Sequence, residues 1–311
     1  MKHIKLLYLF LLISWSSLPL QAADYLLQSP NGKLTVEIET KGQLSYTLKH
    51  NSQTLLDKSP IGLLLEDKIL GEDIKISRIK RNSSVKEHIV SPHYRLPSFE
   101  VTYNELNLKF KGNYGIIFRA YNEGIAYRFY TTMKGPLIIK DEMVQMNFPE
   151  DYPTFMSYST MPTGEDQYAM AFQNLYTKSS IKGVDTNNIA FLPITIDCGN
   201  ELKMTLLESD LEDYPGMFIK GDGKNTSLQG TFAHYPSEIK NFPPRAMKRI
   251  TKRTDYIART TGERNYPWRI WAITEKDTEM PVNNLVYALA SPNRIGDCSW
   301  IKTGKVAWDW W

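Results

Sequence analysis

Ile116-Ile117-Phe118-Arg119-Ala120-Tyr121-Asn122-Glu123-Gly124-Ile125-Ala126-Tyr127-Arg128-Phe129-Tyr130-Thr131 reads as two β-strands closed by a tight turn. Apolar and aromatic side chains fill 116–121 and 125–131, and the polar Asn122-Glu123-Gly124 between them is turn chemistry. Working outward, the pattern repeats. Alternation over 34–40, a turn at Lys41-Gly42, alternation over 44–49, a turn over 50–53 and then Leu55-Leu56 predict consecutive hairpins. The runs 191–197 and 202–208 flank Gly199-Asn200 as another, and further strand signals lie at 101–110, 216–220, 227–233, 253–258 and 268–274. Strands recurring with turn residues every 8 to 12 or so positions have the cadence of a β-sandwich. Two segments compete as helices, 278–290 and the more ambiguous 166–176. No repeat, low-complexity tract or Pro/Gly/Ser linker divides the chain, so one large sandwich is the simplest reading.

The amino terminus has Lys2 and Lys5 ahead of an apolar stretch over 4–15 and then Leu20-Gln21-Ala22-Ala23 before Asp24. This is the layout of a signal peptide over 1–23, cut after Ala22 or Ala23; the apolar run is shorter than the roughly 20 residues of a membrane span. Export to the periplasm is expected, with no membrane attachment after cleavage. Removing the leader takes away two lysines and no acids, so the formal charge falls from +3 to +1. A near-neutral chain has no electrostatic footprint for nucleic acid, and the basic clusters 78–81 and 248–253 read as solvated strand or turn faces. Eighteen tyrosines and seven tryptophans favour a β-rich exported protein that handles flat, hydroxylated surfaces such as sugars. Cys198 and Cys298 are too far apart for a thioredoxin or zinc-ribbon motif; two unrelated buried thiols are expected, with a bridge as the alternative.

The common nucleophile, zinc-protease, Walker and dinucleotide templates are absent from the sequence. His50, His88 and His93 sit in polar, turn-like surroundings. His234, in Phe232-Ala233-His234-Tyr235-Pro236, is flanked by aromatics, and is read as structural with an acid–base role as the alternative. Glu208, Asp210 and Glu212 face one side if that stretch is extended. Three such carboxylates could begin a Ca²⁺ site, or form an exposed strand end running into the Tyr214-Pro215-Gly216 turn. Asp222-Gly223-Lys224-Asn225 is a turn.

Four stretches carry a family resemblance: Glu208-Ser209-Asp210-Leu211-Glu212-Asp213-Tyr214-Pro215-Gly216-Met217; Gly262-Glu263-Arg264 with Pro267-Trp268-Arg269; Ser299-Trp300-Ile301-Lys302; and Trp308-Asp309-Trp310-Trp311. With them the chain, from about Tyr25 to its last residue, resembles the N-terminal portion of glycoside hydrolase family 97, exported α-glucosidases and α-galactosidases. The resemblance implies an all-β fold, a large β-sandwich of the galactose-mutarotase-like (supersandwich) type over 24–300, with 301–311 opening a (β/α)₈ catalytic barrel. The family's catalytic carboxylates and most of its calcium ligands belong to that barrel. The chain is therefore expected to contribute to a carbohydrate and Ca²⁺ site but to be inactive alone, with a separately encoded barrel as a partner.

The family's sandwich sends one glutamate to the calcium ion. The matching segment here is Ala171-Phe172-Gln173-Asn174-Leu175-Tyr176-Thr177, which places Gln173 at that position, with Glu165 or Asp166 as the alternative counterpart. Glutamine offers a carbonyl oxygen but one charge fewer, so Ca²⁺ is expected to bind weakly or not at all in this chain alone. Arg264 and Trp308 are the implied substrate-binding candidates. Trp268 and Trp271 should lie on opposite faces of a strand, one in the core and one toward the barrel. Trp308, Trp310 and Trp311 are expected at the sandwich–barrel seam, or stacking on sugar rings. Two other functions stay open: a free periplasmic carbohydrate-binding module, and, by fold analogy, an aldose mutarotase using His234.

Overall fold

The hairpin centred on Asn122 is the spine of the molecule. In the computed structural model, which describes residues 24–91, 93–159, 166–169, 174–242 and 247–308, strands Tyr114–Tyr121 and Gly124–Asn147 pair antiparallel with Tyr121 opposite Gly124. Residues 1–23, on which the signal-peptide expectation falls, and residues 309–311 lie outside the described residues. A Cβ on Gly124 would stand 2.3 Å from the Trp271 carbonyl oxygen, so glycine is what lets the turn press against the strand Trp268–Thr274. Gly124→Ala is expected to lower stability by about 1–3 kcal/mol through this overpacking. Urea unfolding checks it: an unchanged midpoint would mean that the turn yields freely.

The second strand of the hairpin runs well past the expected Thr131, to Asn147. Along its length it pairs in turn with Trp268–Thr274 (Tyr127 opposite Arg269), Ala258–Asn265 (Ile139 opposite Ala258), Gln53–Leu65 (Val144 opposite Ile61) and Ser227–Phe232 (Met146 opposite Leu228). Gly135-Pro136 looks like a strand breaker in the sequence. In the sheet it is absorbed at a register shift between Thr261 and Glu263. A Cβ on Gly262 would lie 2.5 Å from the Met133 carbonyl oxygen, which explains the glycine of the Gly262-Glu263-Arg264 motif.

The strands stack as two layers. Tyr25–Gln28, Leu34–Glu39, Ser45–His50 and the first half of Gln53–Leu65 form one; the second half of Gln53–Leu65 crosses to pair with Gly124–Asn147 in the larger one. Leu34–Glu39 buries every second residue, as a strand with one face on a core must. Between the layers, the Tyr46 ring packs 6.0 Å from Phe118 and 5.5 Å from Tyr127, and its hydroxyl accepts the Trp271 indole N–H at 2.9 Å. Val36, Ile38, Leu48, Ile116, Ile196 and Met204 complete this core. A second apolar cluster, with Tyr103, Tyr121, Trp268 and Ile270, lies on the opposite face under the helix Leu285–Leu289. This is the expected all-β sandwich.

The helical expectations shrink to short turns. The 278–290 segment divides into a 3₁₀ turn Asp277–Val282, which contains Pro281, and Leu285–Leu289; of 166–176, the described part has a 3₁₀ turn at Gln167–Ala169. The strand expected over 253–258 is displaced. Arg253 closes a separate hairpin, Pro236–Phe242 with Met247–Arg253, and Ala258 opens the next strand. The stretch between is held crosswise, by Tyr235 N–H to the Tyr256 carbonyl and Thr254 N–H to the Tyr235 carbonyl, both at 2.8 Å. The basic clusters are solvated strand at Arg78, Lys80, Arg81, Lys248 and Arg249, which are exposed, but not at Arg253, which is half-buried and paired with Asp166. Both cysteines are free thiols, Cys198 buried and Cys298 half-buried. Burial pushes the Cys198 thiol up to about 12, so it is inert at neutral pH. No helix of the described residues is long and apolar enough to cross a membrane.

The Asp222 turn is pinned by its own side chain. Asp222 accepts from the backbone N–H groups of Lys224 (3.0 Å) and Asn225 (2.9 Å) and from the Ser227 hydroxyl (2.5 Å). Burial opposes its charge, but these bonds outweigh it and hold the carboxyl down to about 2. A depressed carboxyl stabilises the fold above its unfolded pKa, about 3.9, and loses that contribution as pH falls toward 2. Asp222→Asn is therefore expected to cost about 1 kcal/mol at pH 7, discounted for its partial exposure, and almost nothing near pH 2. Equal losses at both pH values, in urea melts, would contradict this.

Candidate functional site

The hairpin Pro236–Phe242 and Met247–Arg253 is fastened at its base to the 166–169 segment. Arg253 places Nε and a terminal nitrogen 3.1 and 2.7 Å from Asp166 Oδ2 and gives its other terminal N–H to the His234 carbonyl at 2.5 Å. The same guanidinium stands 5.6 Å over the ring of Tyr168, whose hydroxyl meets Thr231 at 2.8 Å. Asp166, Tyr168, Lys220, Thr251, Lys252 and Arg253 thereby line an open cleft of about 390 Å³. Asp166, the alternative calcium counterpart, is engaged by Arg253 here. Gln173 and Glu165 lie outside the described residues.

His234 borders the next cleft, about 210 Å³, with Asp213, Tyr235 and Arg259. Its Nδ1 donates to the Thr254 carbonyl at 2.9 Å, so the ring braces the crossing between the two strands. The clefts at Asp166, at Asp213, at Asp277 and at His88 are each lined by at most one carboxylate. Glycosidic cleavage takes two, about 5–9 Å apart across the scissile bond, and none of these four clefts presents that pair.

Glu208, Asp210 and Glu212 do not converge. Their strand, Lys203–Ser209, stops short, and Asp210 takes a positive φ of 64° that turns the chain. Asp210 then reaches Arg128 at 3.2 Å and the Ser291 hydroxyl at 2.9 Å, while Glu212 pairs at the surface with Arg294 at 2.6 Å. No three metal-ligating side chains gather among the described residues. These residues therefore do not fit a Ca²⁺ ion, which needs six to eight oxygens or so.

Glu208 goes inward instead of capping an exposed strand end. Its Oε2 lies 2.6 Å from Arg269, which also grips Glu142 with two bonds of 2.8 and 2.7 Å; Tyr214 donates to Glu142 at 3.2 Å. The Arg269 side chain is 1% exposed and that of Glu142 4%, making this a desolvated network. Burial pushes the Glu208 carboxyl up, with Arg269 opposing. Burial and then the Glu142 charge push the Tyr214 phenol well up. Burial would lower the Arg269 guanidinium, but Glu142 and Glu208 hold it above its ordinary value.

Arg264 stacks over this assembly from outside, 5.4 Å from the Tyr214 ring and 5.2 Å from Tyr266. It donates to the Glu212 carbonyl (2.9 Å), the Asp213 carbonyl (3.4 Å), the Asn265 carbonyl (3.1 Å) and the Thr260 hydroxyl (2.6 Å), tying down the Glu212–Asp213 bend. Trp308 is far from such order, in irregular chain and 76% exposed. Trp268 and Trp271 do take opposite faces, Trp271 in the inter-layer core and Trp268 in the second cluster. Neither reaches the surface, since each is 1% exposed; Trp268 lies under Arg119 and Arg128 of this same chain.

Three comparisons bear on these features. The profile of the family described as Glycosyl-hydrolase 97 N-terminal matches residues 27–292. A retaining α-galactosidase of Bacteroides thetaiotaomicron is 37% identical over 315 residues, covering 99% of this chain and 47% of that protein. Among solved structures, a glycoside hydrolase family 97 enzyme from Pseudoalteromonas sp. strain K8, in complex with acarbose, superposes with a TM-score of 0.72 at 19% identity, covering 89% of this chain and 40% of that one. A β-arabinopyranosidase superposes at 0.67 with 17% identity, covering 81% and 40%. At such identities the structural likeness shows the fold. The chain spans about half the length of the α-galactosidase it matches.

Proposed function

Because the chain belongs to the Glycosyl-hydrolase 97 N-terminal family, we propose that it is the N-terminal half of an exported enzyme that hydrolyses α-galactosides. The 37% identity to an α-galactosidase, running the length of this chain and over less than half of the relative, carries the reading. It favours α-galactosides over α-glucosides, for which acarbose bound to a neighbour at 19% identity is a weaker argument. On this reading the two catalytic carboxylates lie in the half of the enzyme that this chain does not span. The part of this chain is to frame the sugar site, with the 166–169 stretch and its Arg253 clamp nearest the chemistry.

Two further points belong to the same reading. Residues 1–23 are a leader that is removed, so intact mass of the secreted protein should begin at Ala23 or Asp24; a mass retaining Met1 would contradict export by cleavage. Ca²⁺ binds tightly only when the other half supplies its ligands, so calorimetric titration of this chain alone with CaCl₂ should show no saturable heat.

A joined chain tests the function: residues 24–308 of this protein followed by the part of the α-galactosidase relative beyond its matched region. The expected result is turnover of p-nitrophenyl α-galactoside by the joined chain that neither part gives when purified alone. Equal turnover by the grafted part without residues 24–308 would overturn the assignment, because this chain would then contribute nothing to the sugar site.

A further inference from the structure

The cleft at the foot of the hairpin Pro236–Phe242 and Met247–Arg253 carries more positive charge than its own carboxylates answer. Its floor is the outer face of Met217–Gly221, where Phe218 and Lys220 alternate with the buried Met217 and Ile219. Tyr168 is one wall, its ring edge-on to Phe218 at 5.0 Å; Thr251, Lys252 and Arg253 are the other. On the described part of the hairpin Lys240, Lys248, Arg249, Lys252 and Arg253 stand against the single carboxylate of Glu238. Glu238 is shared by Lys240 at 2.9 Å and Lys252 at 3.2 Å, and Asp166 is engaged by Arg253. Lys240 also lies directly opposite Arg249, a like-charge pair that costs stability unless an anion answers it. The half-buried Lys220 has no ion-pair partner among the described residues. Asp185, whose charge it feels, is bonded instead to the backbone N–H groups of Asn187 at 2.7 Å and Asn188 at 3.2 Å.

Charge selects the ligand and shape selects its carrier. A concave site lined by one sign of charge focuses field lines and concentrates ions of the other sign. The neutral polar groups of the lining are already satisfied: Gln167 donates to the Asn187 carbonyl at 3.1 Å and accepts the Ile189 N–H at 2.9 Å, and the Tyr168 hydroxyl meets Thr231 at 2.8 Å. What the cleft leaves to offer is ammonium donors. At about 390 Å³ it has the size of a small-molecule site. A bilayer is flat and would reach only the outside of the hairpin, whereas one ring of a saccharide can enter.

We infer that this cleft binds an acidic saccharide, one whose rings bear carboxylate or sulfate groups; the choice of a saccharide as the carrier rests on the function proposed above. Lys220 and Lys252 hold the acid group of the ring that enters. Lys248, two residues along from Ile250 on the same strand face, meets the acid group of the next ring. Each contact is a charge-assisted hydrogen bond, stronger than one made to a sugar hydroxyl. The site therefore prefers an acidic chain to the neutral chain of the same length.

Calorimetric titration of the purified mature chain at low salt tests this, with a trisaccharide of galacturonate and a sulfated galactose trisaccharide as probes. Saturable binding of either is the expected result, the tighter of the two naming the acid group, and concentrated NaCl should weaken it by screening. Lys220→Gln should weaken it about tenfold through the loss of one hydrogen bond between charged groups. Lys86→Gln, on the exposed edge strand Ile76–Val90, should leave it unchanged. Neither lysine is in the core, so both variants should keep the native melt. Binding of neither probe, or binding that ignores Lys220→Gln, would overturn the proposal. So would equal binding of the neutral galactose trisaccharide. Inorganic sulfate or vesicles of anionic phospholipid binding as tightly as the trisaccharides would overturn it too, by assigning the charge to a bare ion or to a membrane. Binding of an acidic trisaccharide without α-galactoside turnover by the joined chain would sink the function and leave the anion site standing; turnover without such binding would do the reverse.

Discussion

Arg269→Met is expected to lower the unfolding free energy by about 3–5 kcal/mol, because it strands two buried carboxylates without a counter-charge. At about 2–4 °C per kcal/mol for a domain of this size, the melting temperature should fall by roughly 10 °C. The neutral side chain fills similar volume, so the loss reports charge rather than a cavity. Its pH dependence is diagnostic. Burial already pushes the Glu208 carboxyl up with Arg269 opposing, so without Arg269 it should titrate further above the unfolded value of about 4.3. A raised carboxyl contributes stability below its unfolded pKa and loses it as pH rises through the folded pKa. The deficit of the variant should therefore be largest at pH 7.5 and shrink toward pH 5. Adding Glu142→Gln should recover part of it at pH 7.5. Urea melts at the two pH values check this, and a deficit independent of pH would show that the network is not held by charge.

Trp268→Ala should be comparably severe. The indole is 1% exposed, with the Arg128 guanidinium 4.4 Å and the Arg119 guanidinium 5.2 Å from its ring. Truncating a buried Trp costs about 3–5 kcal/mol through the cavity, and each desolvated cation–π contact adds up to about 2 kcal/mol. Arg119 and Arg128 would keep Glu105 and Asp210, at 2.9 and 3.2 Å, but lose the aromatic face they both lie over. Against a total stability of about 5–15 kcal/mol, the variant should be recovered mostly unfolded or aggregated. Trp268→Phe keeps an aromatic face and should retain a cooperative melt. If Trp268→Ala melts within a few degrees of the native chain, the indole is not the centre of this layer.

Much of the fold was legible because strand alternation reports burial directly. The hairpin at Asn122 and the opposite facing of Trp268 and Trp271 follow from period-two patterning alone. The full length of Gly124–Asn147 was not legible, since Gly135-Pro136 is a local breaker signal that a bulge opposite Gly262 overrides through tertiary pairing. The helical reading of 278–290 failed locally, where Pro281 shortens the segment to turns. The carboxylates at 208, 210 and 212 illustrate the same limit: their spacing suggests one face, but the positive φ at Asp210 sends each to a different arginine. One signal for the buried network was available in the sequence. Arg269 stands inside Trp-Arg-Ile-Trp-Ala-Ile, and a charge in an otherwise apolar strand demands buried partners. Nothing in the sequence named Glu142 as that partner, because it lies 127 positions away and meets Arg269 only through the fold.

The site residues divide along similar lines. Arg264 was legible as part of a motif, and its contacts show what the motif does locally: it fixes the Glu212–Asp213 bend over the two tyrosines. Trp308 was legible as an aromatic without a partner, and it is exposed. Asp166 was legible as an acid near the Asn174-Leu175-Tyr176 stretch, but not as the anchor of a basic hairpin that begins 70 positions later at Pro236.

The central claim, that this chain frames a sugar site whose catalytic carboxylates lie elsewhere, is tested most directly by incubating the purified mature chain with p-nitrophenyl α-galactoside, with and without Ca²⁺. The account predicts no release of p-nitrophenol above the uncatalysed rate in either condition. Turnover, and above all Ca²⁺-dependent turnover, would contradict it by showing that the sandwich carries its own catalytic pair.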